Sequence, residues 1–179
     1  NHKTDLLSLI KRVNEIDGIE RIRLSSVEPN IVTEEFARDL SQMPKVCNHF
    51  HLSLQSGCDK TLKAMNRRYT TEKYMDSVNI LRKYMPDCGI TTDIIVGFPG
   101  ETEEDFVQSC DFAKKVNFSK IHVFPYSDRV GTVASKMDGH IDGNIKKERA
   151  RKLLDVSREL EKEYANKFIG KTLEVLFEE

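Results

Sequence analysis

The sequence predicts an α/β fold, a partial (β/α) barrel of parallel strands with outer helices. Short β-branched runs alternate with amphipathic helical segments at least four times, and no repeats or low-complexity linkers interrupt the alternation. Right-handed crossovers wind such units into an open or a closed barrel, and too few units are present to close a ring of eight. An open doubly wound sheet is the alternative that the pattern leaves open.

Local signals along the chain place each element. Predicted strands are short runs rich in β-branched and aromatic residues, and predicted helices have apolar residues at helical spacing. Thr4 can cap the first helix, Thr33 begins the second, and Gly18 and Gly170 end the first and the last. In chain order the predicted elements are a helix over about 4–18, a strand over 21–26, a short helix from 33, a strand over 49–54, helices over 59–66 and 71–85, a strand over 90–96, a helix carrying Phe106, a strand over 120–125, an irregular loop over 127–143 and a helix over 144–168.

One stretch, ITTDIIVGFPGET from Ile90 to Thr102, organises the others. Its β-branched run predicts a buried strand, and the turn from Gly97 to Gly100 ends that strand. Thr102 and Asp105 then have the spacing of a capping box at the start of a helix. The order strand, glycine turn, helix predicts bare backbone amides at the carboxyl end of a strand, where parallel α/β folds hold ligands. A turn that serves packing alone is the other interpretation.

Asp93 lies inside this apolar run. An ionised carboxylate is unfavourable there unless another group pairs with it or donates hydrogen bonds to it. Two interpretations follow. Its side chain accepts hydrogen bonds from neighbouring backbone amides, or it lies at the mouth of a barrel and binds the hydroxyl groups of a ligand.

Composition narrows the class of protein. A formal net charge of −1 gives no bulk attraction for nucleic acid. Basic residues on the last predicted helix are interleaved with glutamates, which predicts a solvated face of mixed charge. No segment is long and apolar enough for a membrane span and no signal-peptide pattern is present, so we expect a cytoplasmic protein without a membrane partner. The basic residues concerned are Lys146, Lys147, Arg149, Arg151 and Lys152.

The four cysteines, Cys47, Cys58, Cys88 and Cys110, are scattered, without CxxC or CxxxCxxC spacing. This spacing predicts neither a metal cage nor a disulfide framework. Buried thiols are the expectation, above all for Cys88 and Cys110, and no residue is predicted as a metal ligand.

Polar residues follow each predicted strand, and the carboxyl ends of parallel strands converge on one face of a barrel. Gln and Asp suit hydrogen bonds to a ribose diol, Arg suits a carboxylate or phosphate, and exposed turn amides suit an adenine edge or an anion. Arg67 follows the helix that leaves the second strand and can fold back over the mouth. The strand-end residues are Ser26, Glu28, Gln55, Ser56, Asp93, the glycine turn and Tyr126 to Asp128.

Motifs in this order make the sequence resemble the radical S-adenosylmethionine (radical SAM) superfamily, in particular the methylthiotransferases that modify tRNA. HVFPYS and MNRRYT are most similar to the branch that methylthiolates N6-threonylcarbamoyladenosine next to the anticodon. The motifs are Leu24 to Pro29 (LSSVEP), Leu54 to Gly57 (LQSG), Met65 to Thr70 (MNRRYT), Asp93 to Thr102, and Phe124 to Ser127 (FPYS) with Gly131-Thr132.

The resemblance implies roles for individual residues. Gln55 and Asp93 would bind the ribose of S-adenosylmethionine, and Arg67 would pair with the methionine carboxylate. Ser26 and Glu28 would lie near the methionine amino group. Main-chain groups of the turn that contains Gly97 and Pro99 would lie beside the adenine. These residues are cofactor-binding, and no residue of this sequence is implied as catalytic.

The resemblance also implies a division of the chain and its chemistry. Residues 1–170 would form a radical SAM core truncated at its N-terminal side, and residues 171–179 the first strand of a β-barrel RNA-binding domain. In the family, a cluster held by a CxxxCxxC loop splits S-adenosylmethionine into a radical, and a second 4Fe-4S cluster supplies sulfur. Neither cluster's cysteines are present in this sequence. The resemblance therefore implies a transferase acting on tRNA whose present segment is inert by itself.

Two other classes stay open on the residues alone. A phosphate-binding barrel lyase or isomerase would use the glycine turn for phosphate and a strand-end Lys or His as base or nucleophile. His49, His51 and His122 lie on predicted strands, but we expect none of them at a strand end beside a carboxylate, so they are interpreted as core or lining residues. A non-catalytic RNA-binding module would need a coherent basic surface.

Overall fold

A computed structural model describes residues 5–175 of the chain. Its four strands and six helices alternate in the order that the sequence predicts, with two single 3-10 turns at Pro29–Ile31 and Ala134–Lys136. In chain order the elements are α1 (Leu6–Asn14), β1 (Ile22–Val27), α2 (Glu34–Ser41), β2 (Val46–Leu52), α3 (Asp59–Ala64), α4 (Thr71–Tyr84), β3 (Gly89–Val96), α5 (Glu103–Val116), β4 (Lys120–Pro125) and α6 (Gly143–Asn166).

The four strands form one parallel sheet in the order β1-β2-β3-β4. Each strand pairs with the next one along the chain, and the pairing of β3 with β4 runs without interruption from Thr91↔Lys120 to Val96↔Pro125. Consecutive parallel strands joined by helices are the arrangement of a partial (β/α) barrel. The predicted fold class is therefore confirmed.

The two faces of the sheet differ in polarity. One face carries Phe50, Leu52, Ile90 and Ile94, all buried against the helices in the hydrophobic core. The opposite face, here called the open face, carries the alternate residues of the same strands, because successive side chains of a strand point to opposite sides. The open face bears His49, His51, Thr91, Asp93, Ile95, His122 and Phe124.

The boundaries of three predicted elements need correction. The first helix is capped by Asp5, whose carboxylate accepts a hydrogen bond from the Ser8 N–H at 2.7 Å, whereas Thr4 lies outside the described residues. β2 begins at Val46, three residues before the predicted start, because Val46 pairs with Ile22 of β1. The structure has no strand over residues 171–175, and residues 176–179 of the predicted terminal strand lie outside the described residues.

Within residues 5–175, no helix combines the length and the apolar composition that a membrane span requires.

Candidate functional site

A cavity of about 410 Å³ opens at the carboxyl ends of β2, β3 and β4. Its volume falls within the range of sites for small molecules and cofactors, which is about 300–1,000 Å³. Its wall combines two polar side chains from strand ends with apolar and aromatic groups and with part of the loop after β4. The residues that form it include Gln55, Asp93, Ile95, Phe124, Tyr126, Arg129, Thr132 and Ala134. The structure therefore brings Gln55 and Asp93 together, although 38 positions separate them in the sequence.

Backbone hydrogen bonds fix Gln55 at the cavity. Its N–H donates to the Asp93 carbonyl at 2.8 Å, and its carbonyl accepts from the Ile95 N–H at 2.9 Å. Its φ of 70° lies in the left-handed region, which a residue other than glycine seldom adopts. Both the N–H and the carbonyl of Gln55 are thus hydrogen-bonded to β3. This conformation directs the Gln55 side chain to the cavity wall.

Gly57 anchors the turn that follows Gln55 to α5. Its N–H donates to the Ser109 hydroxyl at 3.1 Å. A Cβ atom at position 57 would lie 2.8 Å from the Ser109 Cα, so a larger residue would displace the backbone of α5. Glycine is therefore required here by close approach.

Asp93 contacts a histidine of the neighbouring strand. Its Oδ2 lies 3.4 Å from His51 Nε2, and the His51 Nδ1 lies 3.1 Å from the Thr91 hydroxyl. The expectation that none of these histidines lies at a strand end beside a carboxylate is therefore wrong for His51, the penultimate residue of β2, because the strand register places it next to Asp93 on the open face. Of the two interpretations of Asp93, the location at the barrel mouth is the one that the structure supports.

His49 is the other partly buried histidine on β2. Burial lowers its pKa from 6.5 to about 4, and the positive charge of Arg23 acts in the same direction. Its Nε2 lies 3.2 Å from the same Thr91 hydroxyl that contacts His51. Thr91 therefore holds both imidazoles on the open face.

Arg67 and Glu28 line a second, smaller depression of about 120 Å³ together with Tyr69. The Arg67 Nε is buried and has no hydrogen-bond partner among the described residues. Tyr69 connects this depression to the strand end before Gln55, since its hydroxyl donates to the Leu54 carbonyl at 3.1 Å. Burial raises the pKa of Tyr69. The positive charge of Arg67 lowers this pKa and the negative charge of Glu28 raises it, because both charges lie close to the Tyr69 hydroxyl.

Ser26 is exposed at the end of β1 and lines neither depression. Its φ is 55°, and the register between β1 and β2 shifts between Leu24 and Val27. An irregularity of this kind re-aims the chain at a strand end. Ser26 thus lies in the irregular end of β1, two residues before Glu28.

Two amides of the glycine turn, those of Gly97 and Gly100, are occupied, so the expectation of bare backbone amides is wrong for these two. The Gly97 N–H donates to the Glu101 carboxylate at 2.7 Å, and the Gly100 N–H donates to the Gly139 carbonyl at 2.9 Å. Gly97 and Pro99 are buried and are absent from the described lining of the cavity. The turn supports the cavity indirectly, because the Phe98 ring lies 5.3 Å from that of Tyr126.

A buried ion pair holds the glycine turn. Arg149 of α6 donates to Glu101 at 2.8 Å, and these side chains are only 6% and 1% exposed. Burial raises the pKa of Glu101, while the Gly97 N–H and Arg149 oppose that shift. Arg149 is therefore not part of the solvated face that its neighbours in sequence predict.

Lys146, one turn earlier on α6, also contacts the site. Its Nζ donates to the Tyr126 carbonyl at 3.1 Å. A third basic residue of the predicted patch, Lys152, lies 3.1 Å from Glu148 of the same helix and 3.7 Å from Glu103 of α5. Acidic partners and the cavity wall thus occupy Lys146, Arg149 and Lys152, so these three residues of α6 do not form a coherent basic surface.

Several cavity residues were missed at the sequence level. Phe124, Arg129, Thr132 and Ala134 come from the end of β4 and from the loop that follows it. The motif FPYS with Gly131-Thr132 was the signal that could have identified them. Loop residues lack periodicity, so only the family motif distinguished this segment from an ordinary connection.

The sequence profile described as "Radical SAM superfamily" matches residues 1–113. The chain belongs to the radical SAM superfamily. The predicted resemblance is confirmed at this level.

Relatives of this radical SAM chain include two kinds of tRNA-modifying protein. It is 44% identical over 164 residues to the threonylcarbamoyladenosine tRNA methylthiotransferase MtaB of Bacillus subtilis, and the aligned region covers 92% of this chain and 36% of that protein. It is 45% identical over 177 residues to the tRNA-2-methylthio-N(6)-dimethylallyladenosine synthase of Alkaliphilus oremlandii, which covers 99% of this chain and 38% of that protein. The chain thus spans little more than a third of the length of these curated relatives.

Two solved structures share the fold of this radical SAM chain. Coproporphyrinogen III oxidase (HemN) from Escherichia coli, described as a radical SAM enzyme, matches with a TM-score of 0.64 at 17% identity, over 78% of this chain and 32% of that one. The cobalamin-dependent S-adenosylmethionine radical enzyme OxsB matches with a TM-score of 0.51 at 11% identity, over 87% of this chain and 20% of that one. At these identities the likeness concerns the fold alone.

Membership of the radical SAM superfamily implies S-adenosylmethionine and an iron–sulfur cluster. The cavity fits a nucleoside-bearing molecule, because two hydrogen-bonding side chains face one apolar wall. The cysteines do not fit a cluster. Cys58 and Cys88 are buried, burial raises the pKa of Cys88 and of Cys110 to about 11, and the described residues contain no group of cysteines within ligand distance of one another.

Proposed function

We propose that this chain is the later part of the core of a radical SAM methylthiotransferase, which adds a methylthio group to a modified adenosine of tRNA near the anticodon. The observation that carries the proposal is the convergence of Gln55 and Asp93 on one cavity of about 410 Å³, in a chain 44–45% identical to tRNA methylthiotransferases. We infer a cytoplasmic protein, with residues 1–170 in the core and 171–179 beginning an RNA-binding domain.

In this proposal the cavity binds the nucleoside half of S-adenosylmethionine. The Asp93 carboxylate accepts hydrogen bonds from the ribose hydroxyls, and the Gln55 amide can accept from them through its oxygen or donate to them through its nitrogen. Ile95 and Phe124 supply the apolar wall that excludes water from the bound molecule. The turn at Gly97 and Pro99 supports the adenine end of the cavity through Phe98, whose ring packs against that of Tyr126.

The methionine half extends to the smaller depression. The buried Arg67 Nε has no partner in the part of the chain that the structure describes, and this supports a role in binding the carboxylate of the ligand, because an unsatisfied guanidinium N–H in a buried position is unfavourable. Glu28 lines the same depression and can accept hydrogen bonds from the methionine ammonium group. Ser26, at the neighbouring bulge, borders this end.

S-adenosylmethionine would supply the radical chemistry of the superfamily, and Gln55, Asp93 and Arg67 would hold it. This chain binds and orients the molecule and keeps water away from it. The cysteine ligands of the clusters lie outside the present sequence in this proposal, since its four cysteines have no CxxxCxxC spacing. We therefore expect no S-adenosylmethionine cleavage by the isolated chain.

The modified adenosine is proposed to be N6-threonylcarbamoyladenosine. The motifs HVFPYS and MNRRYT support this branch, and a relative of that branch is 44% identical to the chain. N6-dimethylallyladenosine is the second candidate, because a relative named for it is 45% identical.

Nucleoside analysis of tRNA tests the proposal. A strain without the gene that encodes this chain is expected to lack one 2-methylthio nucleoside, and mass spectrometry identifies which modified adenosine has lost the group. The full-length gene should restore the nucleoside, and its Asp93→Ala variant should not. Asp128→Ala, which removes a carboxylate of the adjacent loop, is the matched control and should restore it. An unaltered nucleoside profile in the deletion strain would refute the proposed function.

A further inference from the structure

Three potential ligand atoms for a metal ion converge on the open face of the sheet. They belong to His51 of β2, Asp93 of β3 and His122 of β4, and all lie within 4.8 Å of one another. Asp93 and His122 are direct partners in the register of β3 and β4, and His51 pairs with Thr91, two residues before Asp93. Three adjacent strands therefore direct these side chains to one point, which requires no movement of the backbone.

The spacing suits first-row transition metals. Bonds of about 2.0–2.1 Å to imidazole nitrogen or carboxylate oxygen in a tetrahedral site place neighbouring ligand atoms about 3.3 Å apart. His51 Nε2 and Asp93 Oδ2 lie 3.4 Å apart, and the rings of His51 and His122 are 5.9 Å apart between centroids. A bound ion would draw the three ligand atoms, which lie within 4.8 Å of one another, closer together.

Thr91 provides a second, independent feature of metal sites. A histidine that binds a metal through one ring nitrogen usually has its other nitrogen held by a hydrogen-bonding group. The His51 Nδ1 lies 3.1 Å from the Thr91 hydroxyl, which leaves Nε2 for the metal. The same hydroxyl lies 3.2 Å from His49 Nε2, so Thr91 is itself fixed in position.

We propose that His51, Asp93 and His122 form a binding site for a divalent transition metal such as Zn²⁺ or Co²⁺. Three protein ligands leave at least one coordination position for water or for a ligand in the adjacent cavity. Asp93 has one oxygen toward His51, and it also lines the cavity, so the metal site and the cofactor site share an edge. The proposal rests on this geometry and does not depend on the proposed function.

Cobalt titration of the purified chain, after treatment with a chelator, tests the site. One Co²⁺ per chain should bind and give the visible absorption of nitrogen and oxygen coordination. His122→Asn should weaken binding about ten-fold or more, because one of three ligands is lost. His140→Asn is the matched control. His140 Nδ1 also lies 3.3 Å from a carboxylate, that of Asp128, but neither residue belongs to a three-ligand group among the described residues, so binding should be unchanged.

Two further measurements keep the test decisive. Thr91→Val should weaken Co²⁺ binding about ten-fold, the usual effect of losing a group that orients a metal ligand. X-ray absorption of the zinc-loaded wild-type chain needs no variant and should show imidazole ligands. Co²⁺ binding equal in wild type and His122→Asn, or a thiolate charge-transfer band, would overturn the metal site. Since His122→Asn leaves Gln55 and Arg67 in place, its binding of S-adenosylmethionine reports separately on the proposed function.

Discussion

Gln55 and Ser26 have left-handed backbones although neither is a glycine. A residue in this conformation costs about 1–3 kcal/mol and persists where the surrounding structure determines it fully. Ser26 is the penultimate residue of β1, and Gln55, which follows β2, is held by two backbone hydrogen bonds to β3. Backbone strain is thus present at two residues proposed to border the cofactor, and sequence periodicity carries no signal of it.

Arg67 is the residue whose proposed role is simplest to measure. Arg67→Ala should weaken binding of S-adenosylmethionine by about 1.5–3 kcal/mol, which is typical of the loss of a charge-assisted hydrogen bond. Isothermal titration calorimetry on the full-length protein measures the change. Lys63→Ala is the matched control, since Lys63 is an exposed basic residue of α3 outside the described lining of that depression. Equal affinity in Arg67→Ala and wild type would contradict the placement of the methionine carboxylate.

His49 should make the stability of the chain depend on pH. Burial lowers the pKa of His49 from 6.5 to about 4, so the unfolded chain binds more protons than the folded chain between these values. The free energy of unfolding should therefore fall as the pH is lowered from about 6.5 to about 4. Urea unfolding at pH 7 and pH 5 measures the difference, and His49→Gln should reduce it. An identical pH dependence in both proteins would contradict this assignment.

At the scale of elements, the glycine turn between β3 and α5 is held against α6 by side-chain contacts. Glu101 accepts a hydrogen bond from the Gly97 N–H and forms an ion pair with Arg149. The Lys146 side chain packs over Gly97, and its ammonium group donates a hydrogen bond to the Tyr126 carbonyl. The long helix α6 is thereby connected to the cavity wall through two basic side chains.

Two glycines of this turn allow a controlled comparison. Both have positive φ, 74° at Gly97 and 81° at Gly100, but a Cβ at Gly97 would lie 2.3 Å from the Lys146 Cγ, whereas Gly100 has open space. Gly100→Ala should lower the free energy of unfolding by about 1–2 kcal/mol, the effect of the left-handed backbone alone. Gly97→Ala should lower it by about 1–3 kcal/mol more, because Lys146 must be displaced. Urea unfolding of both variants checks this, and equal losses would contradict the packing of Lys146.

Local interactions explain which elements could be predicted from the sequence. The capping box of Thr102 and Asp105 was predicted and is present, since its partners are three residues apart. The burial of Arg149 was not predicted, because its partner Glu101 lies 48 positions away. The start of β2 and the bulge at Ser26 depend on pairing between strands, which periodicity within one strand does not record.

At the scale of the whole molecule, the two faces of the sheet differ: one packs in the hydrophobic core and the other bears the polar side chains. Helices cover one face with apolar side chains, and the open face bears the histidines, Thr91 and Asp93. The sequence identified Gln55 and Asp93 as convergent because parallel strands end at one edge, a property of topology. It could not place the histidines, because their proximity to Asp93 depends on the register between strands.

Chemical-shift mapping of the isotope-labelled chain tests the central claim most directly, because it also detects weak binding. On titration with S-adenosylmethionine, the resonances of Gln55, Asp93 and Tyr126 at the cavity and of Arg67 beside it should shift together along one saturation curve. Shifts confined to another surface of the chain, with those four residues unaffected at saturation, would contradict the account.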